Sequence, residues 1–349
     1  MIRVLIVDDS ALIRIMLSEI LRADDNIEVI GVASNPNDAA RIIAKEIPDV
    51  ITLDIEMPHM NGLTFLKRIM AQKPIPTVII SSLTEERGEV ALEALALGAI
   101  EVIVKPRMDS EESKKESRIK ILDAVKAASL SRIKRKREVE IIVQPKFSAD
   151  IVLKKAVGKK MYDTEKVVVI GASTGGTKAI YDILKMMPPN APGIAIVQHM
   201  PEIFTRSFAD RLNAEVAMNV KEAEDGDVLS AGKVLIAPGN KHLIIKRIGN
   251  DYFVKLIDAA SVNRHRPSVD VLFRSAAVAA GRNAVGVILT GMGDDGAKGL
   301  LKLKEAGGRT IGQDENSCIV YGMPYVANNI GAVEFQLPLN KIANKVLKL

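Results

Sequence analysis

Short apolar runs alternate with amphipathic stretches along most of this chain, first over residues 1–106 and again from Lys166 onwards. Runs of this length that are apolar at nearly every position are typical of strands buried on both faces, and the stretches between them have helical spacing. Such alternation predicts parallel sheets covered by helices on both sides. At about 100–200 residues per domain, the 349 residues are enough for two such units.

The first unit contains five of the apolar runs. The first run is followed by apolar residues from Leu12 to Leu21 that share one helical face, and Ser10 just before them is a suitable N-cap. A last helix is predicted from about residue 111 to residue 137. The predicted strands are Arg3–Val7, Glu28–Ala33, Val50–Asp54, Thr77–Ser81 and Glu101–Val104.

The alternation then restarts and predicts a second, larger unit. Within it, His242–Lys246 and Tyr252–Ile257 flank Gly249-Asn250-Asp251 and predict an antiparallel hairpin. We therefore expect an α/β protein of two doubly wound domains: a five-stranded parallel, flavodoxin-like domain and a larger, mostly parallel domain with an antiparallel hairpin. The other strands predicted in the second domain are Lys166–Gly171, Gly193–Gln198, Val234–Ala237, Val285–Thr290 and Thr310–Gly312.

A basic segment with little periodicity joins the two units. Much of the net charge of +5 lies between Arg132 and Lys160, and a solvated linker is the interpretation that we prefer. The chain has no Trp and only 3% aromatic residues, which disfavours a surface that stacks single-stranded nucleic acid. We expect domains at 1–122 and 164–349, joined by a linker at 123–163.

Several other classes of protein are disfavoured. No run of about 18 apolar residues predicts a transmembrane helix, and the Asp8-Asp9 pair comes too early for a signal peptide. The single cysteine, Cys318, excludes an internal disulfide and is expected to be a buried, small apolar residue.

Polar side chains occur where four predicted strands of the first domain end. Asp8 and Asp9 end the first strand and Asp54 ends the third, while Ser81 ends the fourth and Lys105 follows the fifth. Any one of them also fits a cap of a strand-to-helix turn. Together they are expected to converge, because the carboxyl ends of parallel strands form the ligand crevice. Crowded carboxylates favour Mg²⁺, and a lysine beside them suits a phosphoryl group that Asp54 would attack.

These motifs resemble the response-regulator receiver domain over residues 1–122. The resemblance is carried by Val-Asp-Asp-Ser, Leu-Asp-Ile-Glu-Met-Pro-His-Met-Asn-Gly, Ile-Ile-Ser-Ser and Val-Lys-Pro. It implies that Asp54 is the phosphoacceptor and that a phosphohistidine on a sensor kinase is the donor. The resemblance also implies that Asp8, Asp9 and Asp54 bind Mg²⁺, together with the backbone carbonyl of Glu56. It further implies that Ser81 and Lys105 are switch residues.

A glycine-rich turn follows the first predicted strand of the second domain. Gly171-Ala172-Ser173-Thr174-Gly175-Gly176 has the G-x-S-x-G spacing and precedes a helical pattern. In this context a serine hydroxyl projects from a tight turn, and the helix N-terminus favours developing negative charge. A phosphate-binding loop is the alternative, although the G-K-[ST] ending of a P-loop is absent. Ser173 is the candidate nucleophile.

A serine nucleophile needs a base, and the chain has four histidines. His199 directly follows a predicted strand, so it is expected at the same sheet edge as Ser173 and is the preferred base. His59 lies in the first domain, and His242 begins a hairpin strand. His265 lies between two arginines, which disfavour an imidazolium. For His242 and His265 we expect surface or structural roles.

The third candidate is a carboxylate that orients the base. The strand Val285–Thr290 runs into Gly291-Met292-Gly293-Asp294-Asp295-Gly296, and spacing alone does not choose between the two aspartates. The glycines predict a close-packed loop with free backbone N–H groups suited to an oxyanion hole, or simply a turn with acidic caps. The order Ser…His…Asp differs from that of α/β-hydrolases and indicates a separate fold family.

This second domain resembles the catalytic domain of the CheB chemotaxis methylesterases. The segments that carry the resemblance are Gly-Ala-Ser-Thr-Gly-Gly, Gln-His-Met-Pro, Ala-Pro-Gly-Asn-Lys-His, Arg-Pro-Ser-Val-Asp, Thr-Gly-Met-Gly-Asp-Asp-Gly and Tyr-Gly-Met-Pro. The resemblance implies Ser173 as nucleophile, His199 as general base and acid, and Asp295 rather than Asp294 as the orienting carboxylate. It also implies that the Met292 backbone N–H helps to form the oxyanion hole.

Both resemblances together imply a phosphorylation-regulated hydrolase of glutamate γ-methyl esters on chemoreceptors, which also deamidates particular glutamines. Its expected partners are receptor cytoplasmic helices and a chemotaxis sensor histidine kinase, with no nucleic acid and no membrane insertion. It would work in the cytoplasm at membrane receptor arrays, with Mg²⁺ in the receiver and no cofactor in the esterase. The alternatives are a receiver-controlled transcription factor and a receiver-controlled serine esterase or peptidase with another substrate.

Overall fold

The structure, a computed structural model, describes residues 1–57, 62–82, 86–106, 110–131 and 166–349. Two parallel sheets organise these residues, one in each predicted domain. None of the described helices is long and apolar enough to cross a membrane.

The first sheet has five parallel strands in the order β2-β1-β3-β4-β5. Its strands are β1 (Ile2–Val7), β2 (Ile27–Ala33), β3 (Val50–Leu53), β4 (Thr77–Ser81) and β5 (Glu101–Val104). Strand order reverses at β1, which lies between β2 and β3. In this register Val7 pairs with Leu53, so the residues that follow β1 and β3 emerge side by side.

Helices connect these strands and cover the sheet. They are α1 (Ala11–Arg22), α2 (Pro36–Lys45), α3 (Gly62–Gln72), α4 (Glu86–Leu97) and α5 (Glu111–Ser129). Helix α1 begins after Ser10, whose side chain accepts a hydrogen bond from the Ile13 N–H, as the N-cap prediction requires.

Helix α5 packs along the sheet through Ile121, Ala124, Val125 and Ala128, which are buried in the core of the first domain. The helix continues to Ser129, past the boundary at 122 that the sequence suggests. The last part of the predicted helix, from 132 to 137, and most of the predicted linker lie outside the described residues.

The second sheet has seven parallel strands in the order β14-β13-β12-β6-β7-β9-β8, and β10 pairs with β11 in a separate antiparallel hairpin. The strands are β6 (Val167–Ala172), β7 (Gly193–Gln198), β8 (Asn219–Glu222), β9 (Lys233–Ile236), β10 (His242–Ile248), β11 (Asp251–Ile257), β12 (Ala284–Ile288), β13 (Arg309–Gln313) and β14 (Phe335–Leu337).

Two layers cover this sheet. Because side chains alternate along a buried strand, Val168 and Ile170 face one layer while Val167 and Val169 face the other. The first layer contains α6 (Gly176–Leu184), α7 (Glu202–Glu215) and α11 (Leu339–Val346). The second contains α8 (Val269–Ala279), α9 (Ala297–Glu305), α10 (Met323–Asn329) and the hairpin.

The predicted fold class is confirmed: both domains are α/β, and the second has the antiparallel hairpin. Sequence analysis missed the two edge strands, β8 and β14. Edge strands are covered on fewer sides, and both are only partly buried, so neither has the continuous apolar run that marks the central strands.

The two domains share an apolar contact. Phe204, on α7 of the second domain, is 1% exposed and belongs to the core of the first. Nearby, the Arg211 guanidinium donates a 2.8 Å hydrogen bond to the backbone carbonyl of Leu92 on α4. Helix α7 therefore lies directly against α4.

Candidate active site and phosphorylation site

Three carboxylates meet at the carboxyl end of the first sheet. Asp8 and Asp9 follow β1 and Asp54 follows β3, and one carboxylate oxygen from each lies within 4.8 Å of the other two. Asp8 and Asp54 are buried and Asp9 is exposed. The convergence expected from strand ends is therefore present.

Lys105 supplies a positive charge to this cluster. Its Nζ atom lies 2.7 Å from Asp54 Oδ2 and 2.9 Å from Asp8 Oδ2. Burial raises the pKa of Asp54 to about 6, the Asp8 charge adds to this, and Lys105 opposes it. Burial also disfavours the Lys105 ammonium, but hydrogen bonds to both carboxylates outweigh that effect and raise its pKa.

The donor set fits a divalent cation. The three carboxylates carry more negative charge than the one ammonium group neutralises. Their oxygen atoms are hard ligands, which Mg²⁺ prefers. The Glu56 backbone N–H donates a 3.2 Å hydrogen bond to Asp54 Oδ1, which brings the loop after β3 to the cluster. Ser81 is buried at the end of β4, beside the end of β5, with Ser81 paired to Val104.

Ser173 lies in the tight turn after β6. Gly175 begins the next helix at φ +79, a conformation that favours glycine, and a Cβ atom there would lie 2.6 Å from the Ile319 side chain. Gly291 packs against the serine from the loop after β12: a Cβ atom at Gly291 would lie 2.7 Å from that of Ser173. Both glycines therefore permit a close approach that no other residue allows.

His199 follows β7, the neighbour of β6. Because Ala172 pairs with Gln198 in the parallel register, Ser173 and His199 leave the sheet side by side. The buried Gln198 amide donates hydrogen bonds to the backbone carbonyls of both, 2.9 Å to Ser173 and 3.0 Å to His199. Gln198 thus holds together the two turns that carry the candidate nucleophile and base.

Asp295 completes the constellation. Its Oδ2 atom lies 2.9 Å from His199 Nε2, and its side chain is buried, whereas Asp294 is exposed. His199 Nδ1 is buried and has no hydrogen-bond partner among the described residues. The nitrogen left for the serine hydroxyl is therefore Nδ1, with Nε2 engaged by the carboxylate.

Asp295 is held by further donors from one segment of chain. Ser268 Oγ and Asn263 Nδ2 each donate a 2.8 Å hydrogen bond to Oδ1, and the Val269 N–H donates one of 2.7 Å to Oδ2. Burial alone would raise the pKa of Asp295, but the hydrogen bonds from His199, Asn263 and Val269 outweigh it and hold that pKa well below its usual range. The carboxylate stays ionised.

The other two described histidines differ in position. His242 is buried, accepts a 3.2 Å hydrogen bond at Nδ1 from the Ser268 N–H, and contacts the Ala260 carbonyl through Nε2. His265 stacks directly on His199, with ring centroids 3.7 Å apart. Sequence analysis did not place His265 in the site. His59 lies outside the described residues.

The first domain covers Ser173. Thr174 Oγ1 donates a 2.7 Å hydrogen bond to the carboxylate of Glu101 on β5. The small cavity at this contact is lined by Ser173 and His199 on one side and by Leu92 and Glu101 on the other. No motif or periodicity in the sequence identifies Glu101 and Thr174 as the residues of this contact, because it depends on how the two domains meet.

Two protein families have models that match this chain, one in each domain. The family model of the CheB methylesterase matches residues 168–346, and that of the response regulator receiver domain matches residues 4–115. A protein-glutamate methylesterase/protein-glutamine glutaminase of Geobacter metallireducens is 53% identical over 350 residues, which cover 100% of this chain and 99% of that one.

The chain belongs to the CheB methylesterase family. A second relative of the same name, from Oleidesulfovibrio alaskensis, is 52% identical over 348 residues, with 99% of this chain and 98% of that one covered. The solved CheB methylesterase catalytic domain of Thermotoga maritima is 42% identical at a TM-score of 0.51, and covers 52% of this chain and 97% of that one.

The family assignment confirms both resemblances found in the sequence. As a CheB methylesterase with a receiver domain, the chain combines a hydrolase with a domain whose phosphorylation depends on Mg²⁺. Sequence analysis identified the residues at strand ends but missed those that hold them, Gln198, Asn263 and Ser268. Asparagine, glutamine and serine are common in loops, so their types carry little signal until the fold brings them to a catalytic group.

Proposed function

We propose that this chain hydrolyses glutamate γ-methyl esters on the cytoplasmic helices of chemoreceptors, and deamidates particular glutamines there, under the control of its own receiver. The relatives that match the whole chain have names that state both activities. The single observation that carries the proposal is the meeting of Ser173, His199 and Asp295 at one sheet edge of a chain that also has the Asp54 site.

In the first half of the reaction, Ser173 is the nucleophile. Its Oγ atom attacks the ester carbonyl while His199 takes the hydroxyl proton at Nδ1. Asp295, ionised and hydrogen-bonded at Nε2, stabilises the imidazolium. The carbon–oxygen bond to the methoxy group then breaks, His199 returns its proton to that oxygen, and methanol leaves an acyl-serine.

In the second half, water attacks the acyl-serine. His199 takes a proton from the water and delivers it to Ser173 Oγ as the acyl bond breaks, which leaves a free glutamate and the original enzyme. A glutamine amide reacts by the same steps, with ammonia in place of methanol. The backbone N–H of Met292 is the proposed oxyanion donor, since Gly291 packs its loop against Ser173.

The receiver would be phosphorylated on Asp54. A carboxylate oxygen attacks the phosphorus of a phosphohistidine on a chemotaxis sensor kinase, the phosphorus–nitrogen bond breaks, and an aspartyl phosphate forms. Asp8, Asp9 and Asp54, with the Glu56 carbonyl, would hold Mg²⁺, which supplies positive charge against the phosphoryl oxygens. Lys105 and Ser81 would bind the new phosphoryl group and transmit the change.

The docked receiver would restrain the esterase until phosphorylation releases it. Its α4 and β5 lie against α7 and the Ser173 turn. In this position they would obstruct the approach of a receptor helix. We place the protein in the cytoplasm, recruited to membrane receptor arrays by its substrate. The esterase half would need no cofactor.

Release of methanol from methylated receptor membranes, with and without a small phosphodonor, tests the proposal. We expect release that depends on Ser173 and that increases with the phosphodonor. Hydrolysis of small esters as fast as receptor ester, with no release from receptors, would instead indicate a general serine esterase.

A further inference from the structure

His265 and His199 form a parallel stack. Their ring planes are 6° apart and their centroids are separated by 3.7 Å. Asp295 fixes the edge of the His199 ring through Nε2, while His265 covers one face. The hydrogen bond to Asp295 therefore fixes the position of the His199 ring, and the stack on His265 fixes the plane of that ring.

The loop that carries His265 is held rigidly around the turn from Val262 to His265. These two residues exchange backbone hydrogen bonds of 3.0 and 2.8 Å. Between them, Asn263 and Arg264 adopt left-handed φ values of 50 and 70, a conformation retained in non-glycine residues where the surroundings hold it. The loop thus presents the His265 ring in one orientation.

The same loop is tied to the catalytic carboxylate. The Asn263 amide donates hydrogen bonds of 2.8 Å to Asp295 and 2.7 Å to Asp270. On the other side of His265, the Arg266 guanidinium donates to Asp258 and Asn240 at 2.8 and 2.9 Å. One loop therefore contacts both the base and its carboxylate partner, and it is anchored at both ends.

The His265 ring is neutral in this environment. Burial, together with the charges of His199, Lys120 and Arg264, lowers its pKa to about 3 against the opposing charge of Asp295. A neutral ring does not repel the imidazolium that His199 becomes during catalysis, and it keeps water from that face of the ring.

We propose that His265 is a positioning residue that holds the His199 ring by stacking, and that its aromatic face, not its proton chemistry, is what the reaction requires. This inference rests on the proposed roles of Ser173 and His199. It assigns a function to a histidine for which the sequence suggested only a structural or surface role.

The test uses the full-length chain with the variants His265→Ala and His265→Phe. Val262→Ala is the matched control on the same loop: it shortens an exposed side chain and keeps the backbone hydrogen bonds between residues 262 and 265. A fluorophosphonate probe measures the rate of covalent labelling of Ser173 between about pH 5 and about pH 9. Methanol release from methylated receptor membranes gives kcat and KM.

We expect His265→Ala to lower the labelling rate and kcat by about 10- to 100-fold, since a slightly misplaced catalytic group loses that much, with KM unchanged. His265→Phe should restore most of the rate at every pH in that range, and Val262→Ala should match the wild type.

The proposal would be overturned if the probe labelled His265→Ala at the wild-type rate. It would also be overturned if a folded His265→Phe protein were labelled as slowly as His265→Ala. Thermal unfolding of each variant establishes that it is folded, and the Phe variant keeps the test decisive if the Ala variant unfolds. Failure of the proposed function gives a different result: the wild type would not label, or labelling would persist in Ser173→Ala.

Discussion

The Glu101 carboxylate accepts a 2.7 Å hydrogen bond from the hydroxyl of Thr174, the residue that follows Ser173. Glu101 is the first residue of β5, and Lys105, directly after the last, binds Asp54. One short strand therefore contacts the esterase domain at its start and the proposed phosphorylation site at its end.

The proposed triad of Ser173, His199 and Asp295 gives the first prediction. Ser173→Ala and His199→Ala should each lower kcat for methanol release by several orders of magnitude, because the residues act as a unit. Asp295→Ala should also be severe, since it removes the partner of His199 Nε2, whereas the exposed Asp294 is the matched control and Asp294→Ala should be mild. Equal losses at the two aspartates would contradict the assignment.

Phosphorylation gives the second prediction. Asp54→Asn should abolish Mg²⁺-dependent labelling by a small radioactive phosphodonor, because an amide cannot form the acyl phosphate. Asp25→Asn, a change of the same type at an exposed position away from the cluster, should label as the wild type does. Labelling of the Asp54 variant at the wild-type rate would place the acceptor elsewhere.

Release of the docked receiver gives the third prediction. A chain that begins near residue 150 should hydrolyse receptor ester faster than the unphosphorylated full-length protein, and a phosphodonor should not change its rate. A coupling free energy of about 1–3 kcal/mol corresponds to roughly a 5- to 150-fold effect. The solved Thermotoga maritima catalytic domain is a separate chain of this kind. If truncation brings no acceleration, the receiver is an activator or a tether.

The pH dependence of docking gives the fourth prediction. Burial raises the pKa of Glu101 to about 7, with the Asp123 charge adding to it and the Thr174 hydroxyl opposing it. A pKa raised in the docked state means that docking favours the protonated form. Docking is therefore strongest at low pH and weakens as the pH rises through about 7.

The measurement is the ratio of truncated to full-length activity, which cancels the pH dependence of the esterase itself. This ratio should fall as the pH rises from about 5 to about 7, by at most tenfold per pH unit, and level off above that range. Glu101→Gln, which mimics the protonated form, should flatten the change, and Glu93→Gln on the exposed side of α4 should not. An unchanged slope in Glu101→Gln would assign the titration to another group, such as Asp123, whose pKa burial also raises.

The central part of both sheets could be predicted from sequence because its strands are buried on both faces. Val50–Leu53 and Gly193–Gln198 are mostly apolar and buried at every position. Strand ends in parallel sheets converge, which brought Asp8 to Asp54 and Ser173 to His199. The choice between Asp294 and Asp295 could not be made from spacing, because one turn of the loop decides which of them is buried.

The position of His265 could not be predicted for a different reason. Its flanking arginines disfavour an imidazolium, and the sequence therefore predicted a surface or structural role. In the structure Arg266 donates hydrogen bonds to Asp258 and Asn240 and anchors the loop. The stack on His199 depends on contacts between segments far apart in the chain. Such contacts have no periodicity, so sequence patterns do not report them.

Phe204 has a consequence for competition between proteins. Its side chain fills the core next to α4, so the chain carries its own ligand for that face of the receiver. A ligand in the same chain acts at an effective concentration that does not depend on how dilute the protein is. Any separate protein that recognises the same face of α4 must overcome that local concentration, and only a receiver whose own enzyme has undocked will be open to it.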